Sequence, residues 1–161
     1  MVSFQIISKH VADSALILIQ LEDFPNELIP SITQHHGNTV IKSLFNKSDS
    51  KVEDEFRYKN VTPPESLEAI VLMICDSVEA TIRSMEHSGQ KIINLDDIVY
   101  NTIDRFEKDG QIDELKIGHS KKIKKALLAN LRAKYHNRSI EDYEDGDEKT
   151  IGERKKEKED D

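Results

Sequence analysis

Apolar residues along this chain recur at helical rather than alternating spacing, in blocks separated by short polar breaks. From Ser3 to Leu21 two stripes run side by side. Ile6, His10, Ser14, Ile17 and Leu21 form one, and Phe4, Ile7, Val11, Ala15 and Leu18 form its neighbour. The pattern predicts a helix that begins almost at Met1 and turns His10 inward, where a histidine is either a hydrogen-bonded core residue or a ligand. Pro25 opens a second helix, at a position where its missing donor costs nothing. Leu28, Ile29 and Ile32 give that helix a buried face leading to His35 and His36, and Gly37 supplies the left-handed residue that ends it. Asn38 is placed to cap a third short helix, Thr39 to Lys47, with Val40, Ile41, Leu44 and Phe45 on its apolar side.

Periodicity lapses over residues 48–62, a polar connection containing Glu53-Asp54-Glu55-Phe56-Arg57-Tyr58 that is either mobile or a lid over a site. It returns at Thr62-Pro63-Pro64-Glu65, which combines a threonine cap, proline in the first turn and a glutamate three residues after the cap. The helix opened there, to about His87, is the central one because it is apolar on two faces. Leu67, Ile70, Val71, Ile74, Val78, Ile82 and Met85 form the first, and Ala69, Leu72, Met73, Asp76, Ala80 and Arg83 the second. Asp76 thus falls where an unpaired carboxylate costs on the order of several kcal/mol, so it must be protonated, hydrogen-bonded, ion-paired or metal-bound. Asn94 or Asp96 begins the next helix, which carries Ile98, Val99, Ile103 and Phe106 and ends at Lys108-Asp109-Gly110. After a turn at Gly110 to Asp113, a last helix from about Ser120 to Arg138 puts Ile123, Leu127, Leu128, Leu131 and Tyr135 inward, with solvated lysines outside. No run alternates as a strand does, so the predicted fold is all-α.

Composition refines this picture. A chain of 161 residues accommodates one domain with a real core. Its charged content, 34%, is partly local: residues 141–161 hold eleven acids against five bases and no apolar stripe, so they carry −6 of the −8 formal charge. Residues 1–140 are therefore the expected folded part, and 141–161 an expected disordered tail. The near-neutral folded part offers no broad electrostatic case for nucleic acid or anionic membrane, but it leaves room for a local positive site that accepts phosphate. Cys75 stands alone in the most apolar run, which excludes an internal disulfide and fits a reducing, cytoplasmic compartment. The roughly 18 to 20 consecutive apolar residues of a membrane span are absent from the sequence, and the first residues lack the basic region of a signal peptide.

The candidate chemistry centres on His35 and His36. Adjacent helical residues lie about 100° apart round the axis, so both rings can enter one cleft, and neutral imidazole is the commonest metal ligand. A surface or internally satisfied histidine pair is the plainer alternative. Arg83 can meet a phosphate or pair with Glu79 or Asp76.

With these elements placed, the sequence resembles the HD-domain metal-dependent phosphohydrolases, and within them the membrane-anchored seven-transmembrane HD phosphodiesterases that hydrolyse cyclic di-AMP. The resemblance is carried by His10-Val11 at the end of a helix, Gln34-His35-His36-Gly37-Asn38-Thr39, Asp54-Glu55-Phe56-Arg57-Tyr58, and Asp76-Ser77-Val78-Glu79-Ala80 with Arg83. Asp109-Gly110-Gln111-Ile112-Asp113-Glu114 and Tyr135-His136-Asn137-Arg138 extend it to about residue 140.

The resemblance implies a helical HD-like bundle and a site for two metal ions, usually iron or manganese. His10 matches the family's third histidine, His35 and His36 its double histidine, and Asp76 its late aspartate, a ligand at the catalytic centre. Arg83, Ser77 and Arg57 are the implied phosphate contacts. The family's first histidine and its His-Asp pair should lie upstream of His10, where the nine residues present include neither type. The implied reading is the C-terminal part of a cyclic-dinucleotide phosphodiesterase domain without its early helices and membrane spans, inactive alone and holding at most one divalent transition metal. A homo-oligomer or a partner chain would then supply the missing half-site. The alternative is a non-catalytic helical module that binds metal or protein.

Overall fold

The computed structural model describes residues 2–90 and 94–135. The expected end of the last helix, the His136-Asn137-Arg138 motif and the acidic tail lie outside the described residues.

The doubly apolar stretch forms helix α4, Leu67–His87, and the elements around it are α1, Val2–Ile19, α2, Ile29–Gln34, α3, Lys42–Phe45, and α5, Leu95–Lys108. Residues 117–135 form α6, which starts three residues before the expected Ser120. Ile70, Met73, Ile74, Val78 and Ile82 of α4 pack with Val99, Ile103 and Phe106 of α5, closed by Ile112 and by Leu128 of α6. Large apolar side chains buried this way each contribute roughly 1.5–3 kcal/mol, so this cluster dominates the stability of the bundle. A smaller cluster of Val11, Ile41 and Tyr58, flanked by Phe4, Ile7, Leu44 and Val61, joins α1 to the segment after α2.

Several sequence expectations change at the element ends. Ser66, not Thr62, caps α4, its hydroxyl accepting from the Ala69 amide at 3.1 Å. Pro64 disfavours helical geometry at the residue before it, so the helix cannot begin at Thr62. Thr62 instead accepts from Gln34 Nε2 at 3.2 Å. Pro25 precedes a single 3-10 turn, Asn26–Leu28, and α2 follows with Pro30 in its first turn. The third helix is shorter than expected and Asn38 does not cap it. The β-branched run Thr39-Val40-Ile41 is not helical, and Val40 pairs with Arg57 in an isolated antiparallel bridge. Ile41 N donates to Phe56 O at 2.9 Å and Tyr58 N to Thr39 O at 3.1 Å, which pins residues 56–58 beside 39–41.

Of the two stripes on α1, that of Phe4, Ile7, Val11, Ala15 and Leu18 is the one turned to the protein, because α2 and the segment after it cover that side of the helix. Ile6, Ile17 and Leu21 are more than half exposed, and His10 sits at the boundary between the stripes. Asp76 is not the buried carboxylate the pattern suggested. It is 40% exposed, since its side of α4 looks into a cavity rather than onto another helix. Helix α5 follows its expected bounds: Asn94 Oδ1 accepts from the Asp96 and Asp97 amides, and Gly110 takes the left-handed conformation after its last turn. Among the described residues there is no strand beyond the one bridge, and no helix is long and apolar enough to cross a membrane.

Candidate metal centre

His10 comes from the middle of α1, and His35 and His36 from the turn that ends α2. Gly37 makes the turn possible. Its φ is +51°, and a Cβ there would collide with Gln111 Oε1 and stand 2.9 Å from Met73 Cε. Only glycine meets both demands.

The tautomers follow from the backbone. His10 Nδ1 lies 2.5 Å from Ile7 O and His35 Nδ1 2.5 Å from Ile32 O. A carbonyl can only accept, so each Nδ1 carries the proton and each Nε2 presents its lone pair. His36 Nε2 is 3.1 Å from His10 Nε2, and ligand nitrogens of all three rings lie within 4.8 Å of one another. Nitrogens bound at about 2.1 Å to one octahedral ion are about 3 Å apart when adjacent, which is the spacing of the His10–His36 pair, and His35 is close enough to make the three rings a candidate site for one cation. Tyr58 stacks on His36, centroids 4.7 Å apart and planes 9° from parallel, and thereby holds the ring. Burial, reinforced by the neighbouring His35 and His10, lowers the His36 pKa to about 3, which keeps it a neutral donor at pH 7. Burial, and then Asp76, push the Tyr58 phenol up to about 12.

Asp76 is near this group but not in it. Its Oδ2 stands 3.8 Å from His36 Nδ1, on the opposite nitrogen from the one that meets His10. That is beyond hydrogen-bonding range but close enough for the carboxylate to serve an adjoining position.

A polar network fixes the turn that carries the histidine pair. Gln111, 2% exposed, donates from Nε2 to Asn38 Oδ1 at 2.6 Å and to both the carbonyl and the carboxylate of Asp109, while its Oε1 accepts from the Asn38 amide. Arg57 grips Asp109 with two bonds of 3.0 and 2.7 Å, Asp54 at 2.7 Å and the Asn38 carbonyl at 3.0 Å. These carboxylates hold the guanidinium firmly protonated. The sequence showed Asp109 and Gln111 as part of a turn and of a motif shared with the family, without a role for either side chain. One signal was available: an aspartate at a helix C-terminus opposes the helix dipole, so it calls for a cationic partner.

His36, Arg57, Tyr58, Asp76, Ser77 and Arg105 all line one open cavity of about 750 Å³. Of the expected phosphate contacts, Ser77 and Arg57 thus face the cavity, with Arg57 already engaged. Arg83 does not face it; exposed on α4, it lies 3.5 Å from Glu79 rather than meeting Asp76.

No protein-family model matches the chain. Two curated relatives do: the cyclic-di-AMP phosphodiesterase PgpH of Bacillus subtilis, 34% identical over 142 residues, and PgpH of Listeria monocytogenes, 35% identical over 143 residues. Each match covers 84% of this chain and 19% of the relative. The crystal structure of the L. monocytogenes PgpH HD domain superimposes with a TM-score of 0.72 at 33% identity, over 83% of this chain and 64% of that one. The same domain in complex with cyclic-di-AMP gives 0.70 at 31% identity. The chain therefore spans about a fifth of the length of its curated relatives and just under two thirds of the solved domain. Its helical fold is that of an HD domain, and the resemblance read from its motifs holds in both sequence and structure.

Proposed function

We propose that this chain is the C-terminal part of the HD domain of a metal-dependent cyclic-dinucleotide phosphodiesterase, with cyclic di-AMP as the substrate. The observation that carries this reading is the convergence of His10, His35 and His36 on one point beside a cavity large enough for a dinucleotide. The donor set fits a divalent transition metal, iron or manganese by the family resemblance: three imidazole nitrogens, two of the rings oriented by carbonyls, and open positions for water or phosphate. Such an ion, when bound, polarises a phosphoryl oxygen and lowers the pKa of water.

The chain's own residues do the rest. His36, neutral and stacked on Tyr58, keeps its ring turned toward the centre. The Arg57–Asp109–Gln111 network prevents the turn from drifting, and misplacement by about 1 Å would cost on the order of 10²-fold in rate. Asp76, across His36 from the three-nitrogen point, is placed to take a proton from water or to serve a neighbouring ion. In the net reaction water oxygen joins phosphorus, one ribose oxygen leaves with a proton, and the ring opens to a linear dinucleotide.

The family's two-ion arrangement needs a further histidine and a His-Asp pair, which these residues do not include. We therefore expect about one ion per chain and negligible turnover in isolation, with turnover restored when another polypeptide brings those ligands. A second reading, a non-catalytic helical metal-binding or interaction module, is favoured by the exposed apolar side chains of Ile6, Leu16 and Ile17 on α1. The deciding experiment is metal analysis of the manganese-loaded chain, followed by a cyclic di-AMP hydrolysis assay alone and after mixing with a fragment carrying the His and His-Asp ligands. The phosphodiesterase reading expects His36→Ala to abolish both metal retention and the activity regained on mixing. Retention of no metal by the unaltered chain would sink it, and two tightly held ions would sink the one-ion expectation.

A further inference from the structure

Among the described residues, four cationic side chains line the large cavity: Lys42, Arg57, Arg105 and Lys108. Three are already neutralised. Arg57 is held by Asp109 and Asp54, Lys42 lies 2.6 Å from Glu53, and Lys108 lies 2.7 Å from Asp104. Arg105 is the exception. No carboxylate of a described residue forms an ion pair with its guanidinium, which rests 4.8 Å from the centre of the Phe106 ring.

The reason lies in a competition the sequence conceals. Arg105 and Asp109 are four residues apart, the spacing of a helical ion pair. Asp109 instead turns to Arg57, which comes from 52 residues away and grips both carboxylate oxygens. A bidentate guanidinium–carboxylate pair is stronger than an exposed helical one, so Arg57 wins the aspartate and Arg105 keeps only a longer-range attraction to it, with no ion pair of its own among the described residues. The acids of the cavity are used up in the same way, except Asp76 beside His36. After internal pairing the described residues of the cavity therefore offer the His36 imidazole and the Asp76 carboxylate for cations, and the Arg105 guanidinium for an anion.

We propose that Arg105 is the phosphate-gripping residue of this cavity, binding a phosphodiester of the cyclic dinucleotide through its guanidinium fork. The assignment rests on the cyclic-dinucleotide reading and names the group that gives it anion selectivity. The planar fork matches two phosphate oxygens at once, and the face of Phe106 supports the cation without consuming its N–H donors. Arg83, the arginine singled out by the sequence, is outside the cavity lining and near Glu79.

The test is calorimetric titration of the manganese-loaded chain with cyclic di-AMP, and in parallel with adenosine, for the unaltered protein, Arg105→Ala, Arg105→Lys and Lys121→Ala. Lys121 is an exposed cation on α6 outside the cavity, so its loss controls for net charge. The expected result is a loss of roughly tenfold or more in cyclic di-AMP affinity for Arg105→Ala, partial recovery in Arg105→Lys, and no change in Lys121→Ala. Adenosine binding and metal content should not move in any of them. Equal cyclic di-AMP affinity in Arg105→Ala and the unaltered chain would overturn the arginine assignment while leaving the phosphodiesterase reading intact. Parallel losses of adenosine and cyclic di-AMP would show a merely structural role and overturn it as well. An unaltered chain that binds no cyclic di-AMP would remove both.

Discussion

The three imidazoles at the centre reach their states by two local causes. His10 and His35 are oriented by carbonyls one turn back on their own backbones; His35 was legible in the sequence because a histidine pair at a helix end before glycine is a local pattern, and His10 because it falls on an apolar stripe. His36 is set by burial and by its neighbours, and Tyr58, which stacks on it, comes from a stretch without helical period that the sequence marked as a shared motif without giving this ring a role. The depressed basicity of His36 has a signed consequence for the metal-free protein. Its folded pKa of about 3 lies below the ordinary value of 6.5, so between these pH values the unfolded chain takes up a proton that the folded chain refuses. Stability should be at its highest above pH 6.5, decline as pH falls toward 3, and level off below. Urea unfolding at pH 7.5, 6, 5 and 4 measures it; the decline due to this residue should stay under about 1.4 kcal/mol per pH unit, and His36→Gln should flatten the profile. An unchanged slope in that variant would show that His36 does not govern it.

Helices α4 and α5 were legible as elements because a dense 3.6-residue period leaves little choice of state. Their ends were less so, since a cap is decided by one hydroxyl and the residues on either side. Thr62 and Ser66 both precede apolar runs, and the prolines between them decide in favour of Ser66. Ser66→Ala should therefore cost about 1 kcal/mol of stability. Thr62→Ala should cost less, because only an exposed bond from Gln34 is lost. Chemical denaturation of the two variants checks the order, and a larger loss at Thr62 would contradict the assigned start. Helix α1 was ambiguous for the opposite reason: two apolar stripes fit it equally well in sequence, and the positions of α2 and of the segment after it select one. The non-helical course of Thr39 to Ile41 depends on residues 56–58 across the bridge, a partner that no local period reveals.

At the scale of the molecule, the sequence conveyed an all-helical domain but not the contacts that tie its halves together. The bonds between Asn38 and Gln111 join residues 73 positions apart, and nothing periodic marks either member. The same blindness applies to apolar excess: Ile6 and Ile17 resemble core residues in the sequence, yet each is more than 60% exposed. Single substitutions of either by lysine should raise the soluble yield and change stability by less than about 0.5 kcal/mol. Expression with thermal melting measures both, and a cooperative loss of structure would mean that these side chains are packed in solution.

The bridge between Val40 and Arg57 has a different kind of consequence. It ties a knot at the neck of the excursion from residue 42 to residue 55, so the backbone enters and leaves at fixed points whatever happens beyond them. Extra residues spliced in near Asp49, which is exposed at the tip, would be absorbed as slack in the surrounding water. That makes the tip a natural graft point for a reporter peptide, one able to register events at the mouth of the site from outside it.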